Sequence, residues 1–219
     1  PLQQLTGEQD FMGLTFAVNE HVLIPRQDTE ILVEEVLKEL HDGMRVLDMC
    51  TGSGCILLSL LHYSNACEGL GVDLSADALE VAEQNAETLL DAVNADRVHF
   101  LQSDLFDKVE GKFEIIVSNP PYIASAEVEK LMPEVRDHEP RMALDGTEDG
   151  LHFYRRIIEE AGKHLVSSGM LFFEIGYDQG WAVSSMMKEA GFEDVCVKKD
   201  LARNDRVVCG HKHLCEKRG

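Results

Sequence analysis

Basic residues are scarce. Lys and Arg number 20 against 40 Asp and Glu, a formal charge of -20 over 219 residues. A surface that acidic repels phosphate backbones, which argues against nucleic acid as a direct partner. Proline (6) and glycine (17) are too few for collagen-like or linker-like material, and 44% hydrophobic with 27% charged residues is the composition of a packed chain. Long apolar runs are missing as well. The longest, such as Cys55 to Leu61 and Met170 to Phe173, fall far short of the roughly 20 residues that cross a bilayer, so no membrane span is expected. The opening Pro1-Leu2-Gln3-Gln4 has neither an initiator Met nor a basic stretch leading into an apolar core. It reads as a trimmed start without a secretory signal. The six cysteines, Cys50, Cys55, Cys67, Cys196, Cys209 and Cys215, contain no C-x-x-C pair and do not resemble a disulfide framework. A reducing, cytoplasmic setting is expected. The length suits one large α/β unit with a short appendage.

The pattern that is present alternates. Phe16, Val18, Val22 and Ile24 around Asn19-Glu20 predict a hairpin over 14–24 closed by Pro25. From Thr29, read as an N-cap, Ile31, Leu32, Val36, Leu37 and Leu40 recur at helical spacing until Gly43. Strands are expected at 45–49, 70–73, 98–101 and 113–117, with helices over 55–62 and 76–90 between the first three. A helix over 150–165, a strand at 170–175, a helix over 181–190 and an antiparallel pair, 195–197 with 207–209, complete the chain. Such β-α-β-α-β order implies parallel strands with helices on both faces, and function at the strands' carboxyl ends.

Asp48-Met49-Cys50-Thr51-Gly52-Ser53-Gly54 joins the first strand to its helix. Glycines there let the backbone approach a ligand closely, and the helix start offers unpaired N–H groups, so a nucleotide-like ligand fits. Asp73 ends the second strand, where a carboxylate accepts both ribose hydroxyls, as in NAD-binding folds and in S-adenosylmethionine (AdoMet) methyltransferases alike. An NAD fingerprint requires a third glycine where this chain has Leu57, which weakens the dinucleotide reading. Ser103-Asp104-Leu105 after the third strand adds a carboxylate able to accept from an exocyclic amine. Taken singly, Asp73 and Asp104 also suit solvated turns or helix caps.

Asn119-Pro120-Pro121-Tyr122 follows the fourth strand. A planar amide or amine nitrogen is a poor nucleophile because its lone pair is delocalised, so a catalyst must hold its N–H groups and aim the lone pair. The Asn119 side-chain carbonyl and the Pro120 main-chain carbonyl are two acceptors held rigid by proline, and Tyr122 offers a flat wall. The bland alternative is a strand-ending turn.

At these residues the chain resembles the HemK/PrmC-type N5-glutamine methyltransferases that modify peptide-chain release factors. The resemblance runs through Leu5-Thr6-Gly7 with Phe11, Leu23 to Glu30, Asp48 to Gly54, Ser118 to Tyr122, His138-Glu139-Pro140 to Leu144, Asp149-Gly150-Leu151 and Glu174-Ile175-Gly176. It implies a Rossmann-like class I AdoMet-dependent methyltransferase fold. The expected architecture is a mostly parallel seven-stranded sheet with an antiparallel last strand and helices on both faces, preceded by a short β-hairpin. Residues 1–28 would form the hairpin and linker and 29–219 the catalytic domain. The helical N-terminal domain of full-length members has no counterpart here. The implied cofactor is AdoMet and the implied partner a release factor, methylated on the glutamine of its Gly-Gly-Gln loop. By motif, Cys50, Thr51, Gly52, Ser53 and Gly54 would line AdoMet, Asp73 its ribose, and Asp104 and Leu105 its adenine. Asn119 would touch both ligands, Pro120, Pro121 and Tyr122 would shape the glutamine slot, and Arg26 and Thr29 would lie near the pocket. Cys50 stands where the family usually has Gly, and Leu105 where some members carry an aromatic.

An adenine-N6 methyltransferase acting on DNA or RNA could use the same tetrapeptide, but the charge of -20 disfavours it. A non-catalytic AdoMet-binding module would need a damaged acceptor motif, and this one is intact. Cys209, His211, His213 and Cys215 alternate by two, yet one strand cannot readily wrap a tetrahedral ion, so a strand end plus tail is preferred and no metal is assigned. Glu174 sits among Leu171, Phe172 and Phe173, which suits a core strand.

Overall fold

The computed structural model describes residues 1–213. A short helix α1 (Leu2–Thr6) leads into strands β1 (Glu8–Phe11) and β2 (Leu14–Ala17). Helix α2 (Glu30–Glu39) is followed by β3 (Arg45–Met49), α3 (Cys55–His62), β4 (Glu68–Asp73), α4 (Ala76–Leu89), the turn α5 (Ala92–Ala95) and β5 (Val98–Gln102). Then come β6 (Phe113–Ser118), two short helices α6 (Ser125–Val128) and α7 (Pro133–Arg136), and α8 (His152–Ala161). Strand β7 (Leu165–Glu174), α9 (Gly180–Glu189), β8 (Glu193–Lys199) and β9 (Asp205–His211) end the described chain.

The main sheet has seven strands in the order β5-β4-β3-β6-β7-β9-β8. Strands β3 to β7 pair in parallel, and β9 runs antiparallel to both of its neighbours. The chain winds outward from β3 to β5 and returns with β6 on the other side of β3. The ends of β3 and β6 therefore diverge at a topological switch point, where an open α/β sheet leaves a crevice.

Both faces of the sheet are covered, so its strands are apolar on both sides. Val46, Ile115, Val117, Phe172, Val207 and Cys209 face a core shared with Leu32, Val36, Leu57 and Leu58 of α2 and α3. Leu47, Ile116, Leu171, Phe173 and Val208, one residue out of phase, face the core of α8 and α9 with Tyr154, Ile157, Val183 and Met187. The period-two alternation assigns each side chain to one layer. No helix among the described residues is long and apolar enough to cross a membrane.

Four local expectations are corrected. The hairpin lies at 8–17, not 14–24: Phe11 pairs with Leu14 across Met12 and Gly13, whose φ values of 51° and 75° make the two-residue turn that twisted strands favour. Residues 18–24 run without a strand, and their alternation reflects packing, since Val18 and Val22 bury against Ala78 and Val81 of α4. Thr29 makes no capping bond, because its hydroxyl is engaged elsewhere. Helix α2 ends at Glu39, where Leu40 turns extended, and Gly43 (φ 82°) belongs to the following turn. Helix α8 covers only 152–161; a 3-10 turn at Gly162–His164 intervenes, and Leu165 already begins β7.

Gly71 of β4 has no room for a side chain: a Cβ would sit 2.6 Å from the Phe100 ring and 3.1 Å from Thr51 Oγ1. Gly71→Ala is expected to lower stability by about 1–3 kcal/mol through overpacking. Urea denaturation measures it, and adding Phe100→Ala should recover part of the loss. Equal losses in the single and double variants would show that the ring is not the obstacle.

Candidate active site

The glycine loop after β3 is tied down by its own side chains. Thr51 Oγ1 donates to Asp48 Oδ2 (2.7 Å), and the Thr51 N–H donates to the Val72 carbonyl (2.9 Å). The Gly52 N–H donates to Asp73 Oδ2 (2.9 Å), while the Ser75 N–H donates to Asp73 Oδ1 (3.0 Å). One carboxylate thus joins the loop after β3 to the turn after β4. Gly52 (φ 54°) has open space where a Cβ would be, so a ligand can approach its backbone. Cys50 adopts φ 65°, a left-handed conformation in which glycine would be relaxed.

Asp48 is completely buried and its Oδ1 has no partner; the Ser53 hydroxyl is likewise buried and unpaired. Burial pushes the Asp48 carboxyl up to about 7, with the Thr51 hydrogen bond opposing. Burial also raises Asp73, against the N–H groups of Ser75 and Gly52. The Cys50 thiol is raised well above its usual range and that of Cys55 to about 12, in both cases chiefly by burial.

At the end of β5, Asp104 Oδ1 accepts from Arg156 Nη1 (2.9 Å), and Leu105, with φ 50°, is buried. At the end of β6, Ser118 Oγ donates to the Met49 carbonyl (2.5 Å) and holds β6 against β3. Asn119 and the prolines follow. The Tyr122 carbonyl accepts from Gln179 Nε2 (2.8 Å), and its hydroxyl donates to Glu174 Oε2 (3.2 Å). Gly150 (φ 75°) fits beneath because a Cβ there would lie 2.5 Å from the Tyr122 carbonyl oxygen. The N-terminal segment closes the site: Thr29 Oγ1 donates to Glu174 Oε1, and Arg26 donates to Glu139 Oε1 and to the Ile24 carbonyl.

These segments enclose one cleft of about 180 Å³, open at its mouth. Arg26, Thr29, Cys50, Thr51, Gly52, Ser53, Asp73, Asp104, Leu105, Asn119 and Pro121 all line it. Gly54, Pro120 and Tyr122 do not. Gly54 lies behind the loop as the left-handed residue before α3, with Leu58 and Ala82 against it. Tyr122 braces the turn through its hydroxyl, which is turned toward Glu174. Glu174 is buried and bonded to Thr29 and Tyr122, which puts it beside the lining rather than in it.

Sequence reading gave no site role to Met142, Ala143, Asp145 and Phe153, which also line the cleft, or to the buried Glu139, although Glu139, Met142 and Ala143 lie in the 138–144 segment that carries the resemblance. Asp145-Gly146 carried only a turn signal, and a glutamate between His138 and Pro140 carries no mark of burial. Its partner Arg26 was the available clue. Of the four alternating residues near the chain end, Cys209 and His211 lie on β9 and His213 bonds Glu193, whereas Cys215 lies outside the described residues.

Asp48 yields a pH prediction. Its carboxyl binds a proton more tightly in the folded state than in the unfolded chain, where a carboxylate titrates near pH 4. The associated stability is fully present below that pH and is lost as pH rises toward 7. Asp48→Asn cannot titrate, so unfolding free energy should fall by about 2 kcal/mol less between pH 5 and pH 8 than in the parent. Urea unfolding at both pH values measures this, and parallel profiles would rule the titration out.

Comparison with known proteins agrees with this geometry. Residues 26–135 match the family model described as methyltransferase small domain. The chain is 47% identical to the release factor glutamine methyltransferase of Clostridium acetobutylicum over 95% of its own length and 74% of that protein's. It is 41% identical to the enzyme of that name from Fusobacterium nucleatum over 98% of its own length and 60% of the relative's. Among solved structures, the release factor-specific protein-(glutamine-N5) methyltransferase of Alicyclobacillus acidocaldarius is 32% identical with a TM-score of 0.52, covering 90% of this chain and 99% of that one. A Pyrococcus furiosus methyltransferase, 18% identical over 92% of this chain and 90% of its own, shares the fold with a TM-score of 0.66. The sheet order, the reversed β9 and the glycine loop are those of a Rossmann-like class I methyltransferase, and the chain belongs to the release factor glutamine methyltransferase family.

Proposed function

We propose that this chain transfers the methyl group of AdoMet to the side-chain amide nitrogen of a glutamine in a peptide-chain release factor, the Gly-Gly-Gln glutamine that the family resemblance implies. One observation carries the reading. Asn119 stands on the wall of the cleft that also holds the glycine loop and Asp73, and among the described residues nothing donates to its carboxamide oxygen or to the Pro120 carbonyl. The Asn119 oxygen faces the cleft, and the Pro120 carbonyl beside it has no competing donor.

The residues present fit the donor. Each Asp73 oxygen already takes one backbone N–H and retains a lone pair for a ribose hydroxyl. Asp73 and Asp104 make the lining acidic, which suits a cation, and the unpaired Ser53 hydroxyl points to a missing polar partner. AdoMet supplies an electrophilic methyl group on positively charged sulfur. The protein's part is to position the acceptor. Asn119 Oδ1 and the Pro120 carbonyl oxygen accept the two N–H bonds of the glutamine amide, which turns its lone pair out of conjugation and toward the cleft floor. As the nitrogen gains positive character, both acceptors stabilise it more strongly than they do the ground state. Pro121 lines the slot, and Tyr122 and Gln179 hold the tetrapeptide in place.

Radiolabelled methyl transfer to a purified release factor tests the reading, with a Gln→Ala change in the Gly-Gly-Gln loop as control; label that survives the control would remove the assigned target. Asn119→Ala should lower single-turnover methylation at least about 10²-fold, the usual size of a lost positioning acceptor at a reacting centre. AdoMet affinity should change less, and thermal melting should confirm a folded protein. A folded variant that methylates at the parental rate would move the acceptor site away from β6.

A further inference from the structure

Far along the sheet from the cleft, two cysteines meet that the methyl-transfer chemistry does not use. Cys196 of β8 and Cys209 of β9 are direct cross-strand partners in the antiparallel ladder, and their Sγ atoms lie 3.4 Å apart. Neither is in a disulfide. Directly opposed residues of an antiparallel pair have Cα atoms about 4.5–5.5 Å apart, inside the roughly 4.4–6.8 Å window a disulfide requires. The backbone therefore needs no rearrangement to accept the bond.

We propose that Cys196 and Cys209 form a redox modification site, a dithiol that peroxides convert to an intramolecular disulfide stapling the free edge of the sheet.

The two thiols have unequal roles. Strand β8 is the terminal strand, and Cys196 on it is half-buried, within reach of a small oxidant. Cys209 lies in the core, and burial together with the adjoining Cys196 pushes its thiol up to about 12, so it is the poorer first nucleophile. Cys196 sulfur attacks the peroxide O–O bond and becomes a sulfenic acid, and the released hydroxide takes up the thiol proton as water. Cys209 sulfur then attacks the sulfenic sulfur and displaces hydroxide, which leaves with the Cys209 proton as a second water. Two thiols are oxidised and one peroxide is reduced. Among the described cysteines, Cys196 and Cys209 are the one pair whose sulfurs are in contact; Cys50, Cys55 and Cys67 have no cysteine beside them to close a disulfide.

Graded hydrogen peroxide on the whole chain tests the site, read by intact mass and by non-reducing peptide mapping. The expected result is loss of two hydrogen atoms, a Cys196–Cys209 cross-linked peptide, reversal by a dithiol reductant, and neither change in Cys196→Ser or Cys209→Ser. Because the partners are already aligned, the oxidised protein should melt several degrees above the reduced one. Stepwise addition of oxygen atoms without a cross-link, a cross-link to any other cysteine, or a lower melting temperature on oxidation would each overturn the proposal.

Discussion

The Glu174 carboxylate joins three segments that lie far apart in the chain. Placed at the end of β7, it accepts one hydroxyl from Thr29, at the mouth of the N-terminal segment, and another from Tyr122 of the Asn-Pro-Pro-Tyr turn. Its own main-chain carbonyl accepts the Tyr154 hydroxyl at 2.7 Å, which anchors α8 to the same point. Burial pushes its pKa up, while the Thr29 hydrogen bond and the nearby Arg206 charge oppose the shift. Removing such a group would leave two hydroxyls without partners inside the protein, each a cost of about 1–3 kcal/mol, and would release two walls of the cleft at once. Pro25 to Thr29, Asn119 to Tyr122 and Glu174-Ile175-Gly176 are thus three parts of one hydrogen-bonded corner.

The same economy governs charge. The cleft lies in a strongly acidic chain and draws Asp73 and Asp104 into its lining, with Asp48 buried beneath. Asp104 is paired with Arg156, whereas Asp73 meets only backbone N–H groups, so Asp73 is the carboxylate left to face a positively charged donor. Arg26 is the only Lys or Arg among the described lining residues, and it is held by the buried Glu139, which also accepts the Ile24 N–H at 3.1 Å. Its charge is thereby offset, and it contributes fixed geometry and its remaining N–H donors more than net attraction.

Elements with a strong period were legible from sequence: β3 and α3 have the expected ends, and the pairing of 195–197 with 207–209 is present. These segments bury continuous apolar faces, and burial writes itself into residue spacing. The errors fell where something other than periodicity decides. Alternation at 18–24 came from an irregular segment packed on α4, and the true turn at Met12-Gly13 was hidden because only one of its two left-handed residues is glycine. The site was half legible. Glycines and strand-end aspartates announce themselves through local chemistry, whereas Asp145 reaches the cleft only through the long loop between β6 and α8, Phe153 from the first turn of α8, and Glu139 acts from behind Arg26. Thr29 illustrates the limit best: a threonine before a helix is an ordinary cap by sequence, and only the fold brings Glu174 to it.

Cys50 shows how the loop tolerates a left-handed residue that is not glycine. A non-glycine residue at φ 65° costs about 1–2 kcal/mol relative to a relaxed backbone. Leu105, also left-handed at φ 50°, carries a similar penalty at the end of β5. Both flank the cleft, and neither has changed the path of the chain. The reason lies in the neighbouring bonds: Thr51 is fixed by Asp48 and Val72, and Gly52 by Asp73, so the conformation at Cys50 is imposed from its C-terminal side. The residue at position 50 therefore sets how much stability the loop costs, while the aspartates at the ends of β3 and β4 set its shape.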